Sequence, residues 1–176
     1  MDKVHLPSSG AHWRVGVIAC STSRARGVRP DESGKRIKDA CHKWWRAEVT
    51  AYRAVPDDRR QIAWVLNNWC EQGLDVIFTT GGTGFSPTDV TPDASREVIT
   101  REAPGLAELM RAAWGKKNGL AWLSRGVAGF REKTLIVNLP GDPAAVGECL
   151  KALRGVVPAA LEISSGRFRD IALPAR

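Results

Sequence analysis

The sequence has few of the features typical of membrane proteins or secreted proteins. None of its apolar runs approaches the roughly 20 residues that span a bilayer. Residues 1–10 contain no apolar segment of the kind found in a secretory signal peptide. We therefore expect a cytoplasmic protein that does not associate with membranes.

Cysteine and histidine are also scarce. The four cysteines, Cys20, Cys41, Cys70 and Cys149, are widely spaced and form no C-x-x-C or Cys/His cluster, which argues against a zinc site or a disulfide framework. Buried, reduced thiols are the expected state. The three histidines form no recognisable catalytic pattern, so acid–base catalysis by histidine is not expected.

The standard nucleotide-binding motifs are missing as well. The segment Ser33-Gly34-Lys35-Arg36 lacks the first glycine and the hydroxyl residue of a Walker A loop, and no G-x-G-x-x-G follows the first predicted strand. The formal charge of +7 nevertheless favours anionic partners. The densest basic stretch, from Arg24 to Lys38, is either a solvated surface or a collar around an anionic ligand.

What the chain does have is an alternation of buried strands and amphipathic helices. The predicted strands cover 13–20, 48–55, 74–80 and 134–138, and apolar stripes at helical spacing lie between them. The seven tryptophans fall mostly on these stripes, which favours core or subunit packing over base stacking. The pattern predicts an α/β fold with a mostly parallel sheet covered on both faces. We expect an N-terminal arm over 1–12 and a single domain over 13–176.

Three helix starts can be predicted from capping chemistry. Asp58 and Gln61 have capping-box spacing, Thr91 precedes a proline as an N-cap, and Asp142-Pro143 opens a later helix. The segment from 21 to 34 is predicted to be a loop. Because Asp58 is used as a cap, its neighbour Asp57 is free for another role.

Ligands of open α/β sheets bind beyond the carboxyl ends of the strands, and the most distinctive sequence there is Thr79-Thr80-Gly81-Gly82-Thr83-Gly84. Its glycines allow main-chain N–H groups to approach an anion closely. Asp89 follows on the same loop with no evident structural duty, whereas Asp93 fits the first turn of a helix. Asp57 and Asp89 would together suit Mg²⁺, which prefers oxygen ligands.

The segment from Thr79 to Ala94 closely resembles the signature of the molybdopterin adenylyltransferases, the bacterial Mog-type enzymes and the G domain of gephyrin. Shorter matches occur along 13–165. They are Asp31-x-Ser33-Gly34, Val55-Pro56-Asp57-Asp58, Arg101-Glu102-Ala103-Pro104-Gly105, Leu123-Ser124-Arg125 and Asn138-Leu139-Pro140-Gly141.

The resemblance implies a three-layer α/β/α domain that assembles as a homotrimer and joins ATP to molybdopterin with release of pyrophosphate. It assigns Asp57 and Asp89 to catalysis and to Mg²⁺. It also assigns ligand binding to seven further positions: Gly81, Gly82, Thr83, Gly84, Ser124, Pro140 and Gly141.

Two positions depart from the family pattern. Cys20-Ser21-Thr22 stands where many members have Ser-Asp, and Thr88 stands where many have Arg. The arginine that many members have at the position of Thr88 could contact a phosphate. Arg24 or Arg26 could make that contact here instead. Two alternatives to the enzyme stay open, a non-catalytic molybdopterin carrier of the same fold and, far less favoured, a nucleic-acid-binding module.

Overall fold

The computed structural model describes residues 13–28 and 30–166, so the arm predicted over 1–12 lies outside the described residues. Within those ranges the chain forms one six-stranded sheet and seven α-helices. The strands are β1 Arg14–Cys20, β2 Glu48–Val55, β3 Val76–Thr80, β4 Arg101–Glu102, β5 Ala128–Arg131 and β6 Thr134–Leu139. The helices are α1 Thr22–Ala25, α2 Glu32–Ala40, α3 Arg59–Glu71, α4 Thr91–Val98, α5 Pro104–Gly115, α6 Pro143–Leu153 and α7 Val156–Ser164.

The sheet has the strand order β2-β1-β3-β6-β5-β4. The first four strands in this order are parallel, whereas β5 and β4 are antiparallel to their neighbours. The parallel strands end together at one edge, so the loops after β1, β2, β3 and β6 come close to one another. The predicted α/β class with a mostly parallel sheet is confirmed.

The two faces of the sheet carry separate apolar cores. Side chains alternate between them along each central strand, so that Val76 and Phe78 face one core while Ile77 faces the other. The first core is completed by α2, α5, α6 and α7, and the second by α3 and α4. Helices therefore cover both faces, and the domain has the expected three layers.

The helix that begins as α2 changes its winding before it ends. Apolar residues at helical spacing continue from Ile37 to Trp45, but the α-helix stops at Ala40 and a π-helical turn covers Cys41–Trp45. This turn brings the Trp45 ring parallel to Phe78 at a centroid distance of 5.7 Å, and its indole N–H donates to the Arg154 carbonyl at 2.8 Å. Packing against the sheet thus outweighs regular helical winding here.

The predicted caps at Asp58 and Asp142 are confirmed, since each carboxylate accepts a hydrogen bond from the main-chain N–H of the residue three positions later. The predicted cap at Thr91 is wrong by one position. Helix α4 is preceded by Val90, which makes no side-chain capping bond, and Thr91 is its first residue. The predicted loop over 21–34 also contains α1 and the start of α2.

All four cysteines are unpaired. Cys20, Cys41 and Cys149 are buried and Cys70 is half-buried. Burial raises the pKa of the first three thiols to about 12 and that of Cys70 to about 11. The predicted buried, reduced thiols are confirmed for three positions. Among the described residues, no helix has both the length and the apolar character needed to cross a membrane.

We expect the folded protein to resist thiol reagents at pH 8. The reagents attack thiolates, and burial keeps these groups protonated. Titration with a chromogenic disulfide should show slow reaction of Cys70 alone in buffer and rapid reaction of all four cysteines in denaturant. Fast labelling of two or more thiols in the native protein would contradict this arrangement.

Candidate functional site

The site is built around the glycine loop, Gly81–Gly84, which follows β3 directly. Gly81 and Gly82 have positive φ angles of 98° and 61°. A Cβ atom on Gly81 would lie 2.4 Å from the carbonyl oxygen of Cys20 at the end of β1. Both the backbone conformation and this close approach therefore require glycine at position 81.

Neighbouring loops hold the glycine loop in place. The Thr80 hydroxyl donates to the Pro140 carbonyl at 2.7 Å, and a Cβ atom on Gly141 would lie 3.3 Å from the Gly81 Cα. The Gly141 carbonyl in turn accepts from the Ser33 hydroxyl at 2.8 Å and from the Arg24 guanidinium at 3.2 Å. The ends of β1, β3 and β6 thus form one continuous rim.

Asp57 lies beside this rim, after β2. One of its carboxylate oxygens accepts hydrogen bonds from the main-chain N–H and the hydroxyl of Thr22, both at 2.9 Å. The other oxygen faces Gly82, lying 3.6 Å from where a Cβ atom on that glycine would be. Thr22 therefore orients the Asp57 carboxylate toward the glycine loop.

Asp89 lies against the other end of the glycine loop. Its carboxylate accepts from the Ser86 N–H at 2.9 Å and would be 2.9 Å from a Cβ atom on Gly84. Asp89 therefore has a structural duty that the sequence did not reveal, because it closes the turn from Ser86 to Asp89. Glycine at position 84 allows this carboxylate to come close to the loop backbone.

The two carboxylates share an electrostatic property. Within residues 13–28 and 30–166, no Lys, Arg or His side-chain nitrogen lies within 4.0 Å of the carboxylate oxygens of Asp57 or Asp89. The same residues contain no cluster of three potential metal ligands. Two hydrogen-bonded carboxylates without a cationic partner suit Mg²⁺, which commonly takes one or two protein carboxylates, waters and substrate phosphates.

An apolar cavity of about 260 Å³ lies beside the glycine loop. Helix α5 contributes Met110 and Trp114 to its wall, and the 3₁₀ turn Gly119–Leu123 contributes Leu120 and Leu123. Of the residues predicted to bind ligands, the following line it: Thr83, Gly84, Ser124, Pro140 and Gly141. Asp57, Asp89, Gly81 and Gly82 do not, so the glycine loop separates the cavity from Asp57.

Arg125 belongs to the Leu123-Ser124-Arg125 match, but no role for it was predicted from the sequence. Its guanidinium donates to the Gly84 carbonyl at 2.7 Å, to the Asp89 carbonyl, and to both carboxylate oxygens of Asp93 at 3.1 and 3.0 Å. These hydrogen bonds lower the pKa of the Asp93 carboxyl. Asp93 was assigned only to the helix dipole, because its partner is 32 residues away and no local pattern connects the two.

The basic stretch near the first loop divides into two groups. Arg24 turns inward, 3.6 Å from the Asp31 carboxylate and close to Gly81, whereas Arg26, Lys35 and Lys38 are exposed. Arg24 therefore supplies positive charge at the rim. The rest of the described stretch fits the solvated surface better than a collar.

The sequence of this chain matches a known protein family and named relatives. Residues 16–159 match the family described as the probable molybdopterin binding domain. The molybdopterin adenylyltransferase of Helicobacter pylori is 36% identical over 159 residues, which cover 89% of this chain and 90% of that protein.

Two solved structures are also similar. The molybdopterin biosynthesis enzyme MoaB of Thermus thermophilus is 46% identical, with a TM-score of 0.82 and coverage of 88% of this chain and 97% of that one. The tungsten cofactor synthesizing protein MoaB of Pyrococcus furiosus is 30% identical, with a TM-score of 0.79 and coverage of 89% and 99%.

We expect Gly81→Ala to destabilise the protein and Gly105→Ala to leave it intact. The first change forces a positive φ on alanine and places its Cβ atom against Cys20, at a cost of about 1–3 kcal/mol. Gly105 lies near the start of α5 with nothing within 4 Å of a Cβ atom. Urea unfolding measures both, and equal free energies of unfolding for the two variants would disprove the role of Gly81.

Proposed function

The chain belongs to the molybdopterin-binding family of molybdenum cofactor biosynthesis, and we propose that it is a molybdopterin adenylyltransferase. It transfers the adenylyl group of ATP to molybdopterin and releases pyrophosphate. Relatives that share most of their length with this chain carry that name. They favour an enzyme over the alternative of a non-catalytic carrier.

One observation carries this proposal, namely that a single glycine loop lies between an apolar cavity and Asp57. A pterin is a flat bicycle with polar edges, which suits an apolar cavity with a few polar groups such as Ser124. A triphosphate suits the other side, where Arg24 and the backbone of Gly81 and Gly82 lie. The glycine loop would then hold the two reacting phosphates near each other.

The reaction needs no general base from the protein. The terminal phosphate of molybdopterin is already an anion, and one of its oxygens attacks the α-phosphorus of ATP. A new P–O bond forms as the bond between the α-phosphorus and the oxygen bridging to the β-phosphate breaks, and the electron pair leaves with pyrophosphate. The protein's task is to align the two phosphates in line and to offset their repulsion.

Asp57 and Asp89 would hold Mg²⁺, directly or through water. When bound, this ion supplies positive charge that offsets the repulsion between the phosphates and the charge that develops on pyrophosphate. The residues fit it because both carboxylates are fixed by neutral N–H or O–H donors and neither is neutralised by a cation in the described structure. Thr22 and Ser86 orient these carboxylates.

The protein's assembly and location follow from the family resemblance. We propose a homotrimer, and exposed apolar side chains at Leu120, Trp122 and Leu123 provide surface that an interface could cover. We also propose a cytoplasmic enzyme, in keeping with four unpaired cysteines. We propose no nucleic-acid partner.

We expect Asp57→Asn and Asp89→Asn each to lower kcat by at least about 100-fold, because each removes a charge that holds Mg²⁺. Asp58→Asn is the matched control, since asparagine also caps a helix. It should keep activity within about twofold of the original protein. Pyrophosphate release from ATP, Mg²⁺ and purified molybdopterin measures all three. Near-normal turnover by either of the first two variants would refute that residue's assignment.

Light scattering on the purified protein should give three times the chain mass of 19.2 kDa. Trp122→Glu should lower that mass if the exposed apolar side chains lie in the interface, because burying a carboxylate in an apolar contact is costly. Trp64→Glu, on an equally exposed tryptophan of α3, is the control. A monomeric original protein would contradict the trimer.

A further inference from the structure

The segment from Thr83 to Asp93, here called the signature segment, is folded around a single guanidinium. It begins in the glycine loop, contains Asp89 and ends in the first turn of α4. The Arg125 side chain contacts both the glycine loop, at Gly84, and α4, at Asp93. Besides its bonds to Gly84, Asp89 and Asp93, its main-chain N–H donates to the Thr83 carbonyl at 2.9 Å.

These contacts use most of the donor capacity of the side chain. Nε donates to Gly84, Nη1 to Asp93, and Nη2 to both Asp93 and the Asp89 carbonyl. The guanidinium is planar and presents its donors in a fixed fork. The distance between the Gly84 and Asp89 carbonyls is therefore fixed by one rigid group, which the single point donor of a lysine could not replace.

The surroundings of Arg125 show that this side chain acts on the segment rather than on bulk solvent. Its side chain is 26% exposed, and its guanidinium lies 5.9 Å from the centroid of the Phe85 ring. Phe85 itself is 70% exposed, and residues 85–88 are all exposed. With so little apolar burial of its own, the turn depends on polar contacts for its shape.

Resting on the adenylyltransferase function proposed above, we infer that Arg125 is a positioning residue for the reaction. It holds the Asp89 carboxylate at a fixed place relative to the glycine loop, while Asp93 holds the guanidinium in register. Arg125 acts through the backbone of Gly84 and Asp89 and does not need to touch either substrate. Loosening the segment should affect the chemical step more than the binding of ATP.

The test compares Arg125→Gln, Arg125→Lys and Asp93→Asn with Arg96→Gln. Arg96 is the matched control, because it also lies near Asp93, at 3.9 Å, but it is exposed and makes no hydrogen bond or ion pair with residues 83–89 in the described structure. The measurements are kcat and KM for ATP, thermal unfolding, and amide hydrogen exchange over 83–93. Exchange needs no substrate and so tests the positioning role even if the proposed reaction fails.

We expect Arg125→Gln to lower kcat by about 100-fold with little change in KM for ATP, since a misplaced group can cost this much. Arg125→Lys should not restore kcat, and Asp93→Asn should lose less because both carbonyl contacts remain. Amide exchange should rise within 83–93 only, and Arg96→Gln should match the original protein.

Unchanged exchange in Arg125→Gln, or full activity in Arg125→Lys, would overturn the inference. The second result would show that charge alone is what position 125 supplies. If Arg125→Gln does not fold, Arg125→Lys and Asp93→Asn decide by the same criteria. If the original protein and Arg96→Gln both fail to release pyrophosphate while exchange responds as expected, the proposed reaction is wrong and the loop-holding role of Arg125 stands.

Discussion

The site depends on the close approach of three backbone segments at the carboxyl edge of the sheet. Gly81 lies against the Cys20 carbonyl on one side and Gly141 on the other, which places the ends of β1, β3 and β6 in contact. No residue with a side chain fits at position 81 without displacing the end of β1. This contact positions the glycine loop after β3 and the part of the cavity wall formed by Pro140 and Gly141 after β6. Asp57 lies nearby because it follows β2, which pairs with β1.

Asn138, which also lines the apolar cavity, joins several elements of the site through its side chain. The buried Asn138 amide donates to Thr79 and Ser95 at 2.9 and 2.8 Å, and its oxygen accepts from the Val127 N–H at 3.2 Å. It thereby joins β3, β6, α4 and the segment before β5 behind the glycine loop. A buried polar group of this kind is stabilising only when its hydrogen bonds are satisfied, so it specifies one arrangement of these elements.

Local patterns in the sequence predicted what depends on local chemistry. The strand over 48–55 and the caps at Asp58 and Asp142 follow from alternation and capping, and the structure confirms them. The π turn at Cys41–Trp45 could not be predicted, because it arises from the fit of Trp45 on Phe78. The role of Arg125 was missed for a similar reason, since its partners lie 32 to 41 residues away. The family resemblance supplied the roles proposed for Asp57 and Asp89, which spacing only suggested.

Asp89 and Asp93 show how two carboxylates four positions apart come to differ. Asp93 is paired with a bidentate guanidinium, which offsets its charge and lowers its pKa, so it offers little attraction to a further cation. Asp89 accepts from the neutral Ser86 N–H and has its main-chain carbonyl, not its carboxylate, bound by Arg125. Its charge therefore stays uncompensated within the described structure. Arg125 thus neutralises the Asp93 carboxylate and leaves the Asp89 carboxylate without a cationic partner. This contrast supports the proposal that Asp89, rather than Asp93, binds the metal ion that accompanies a triphosphate.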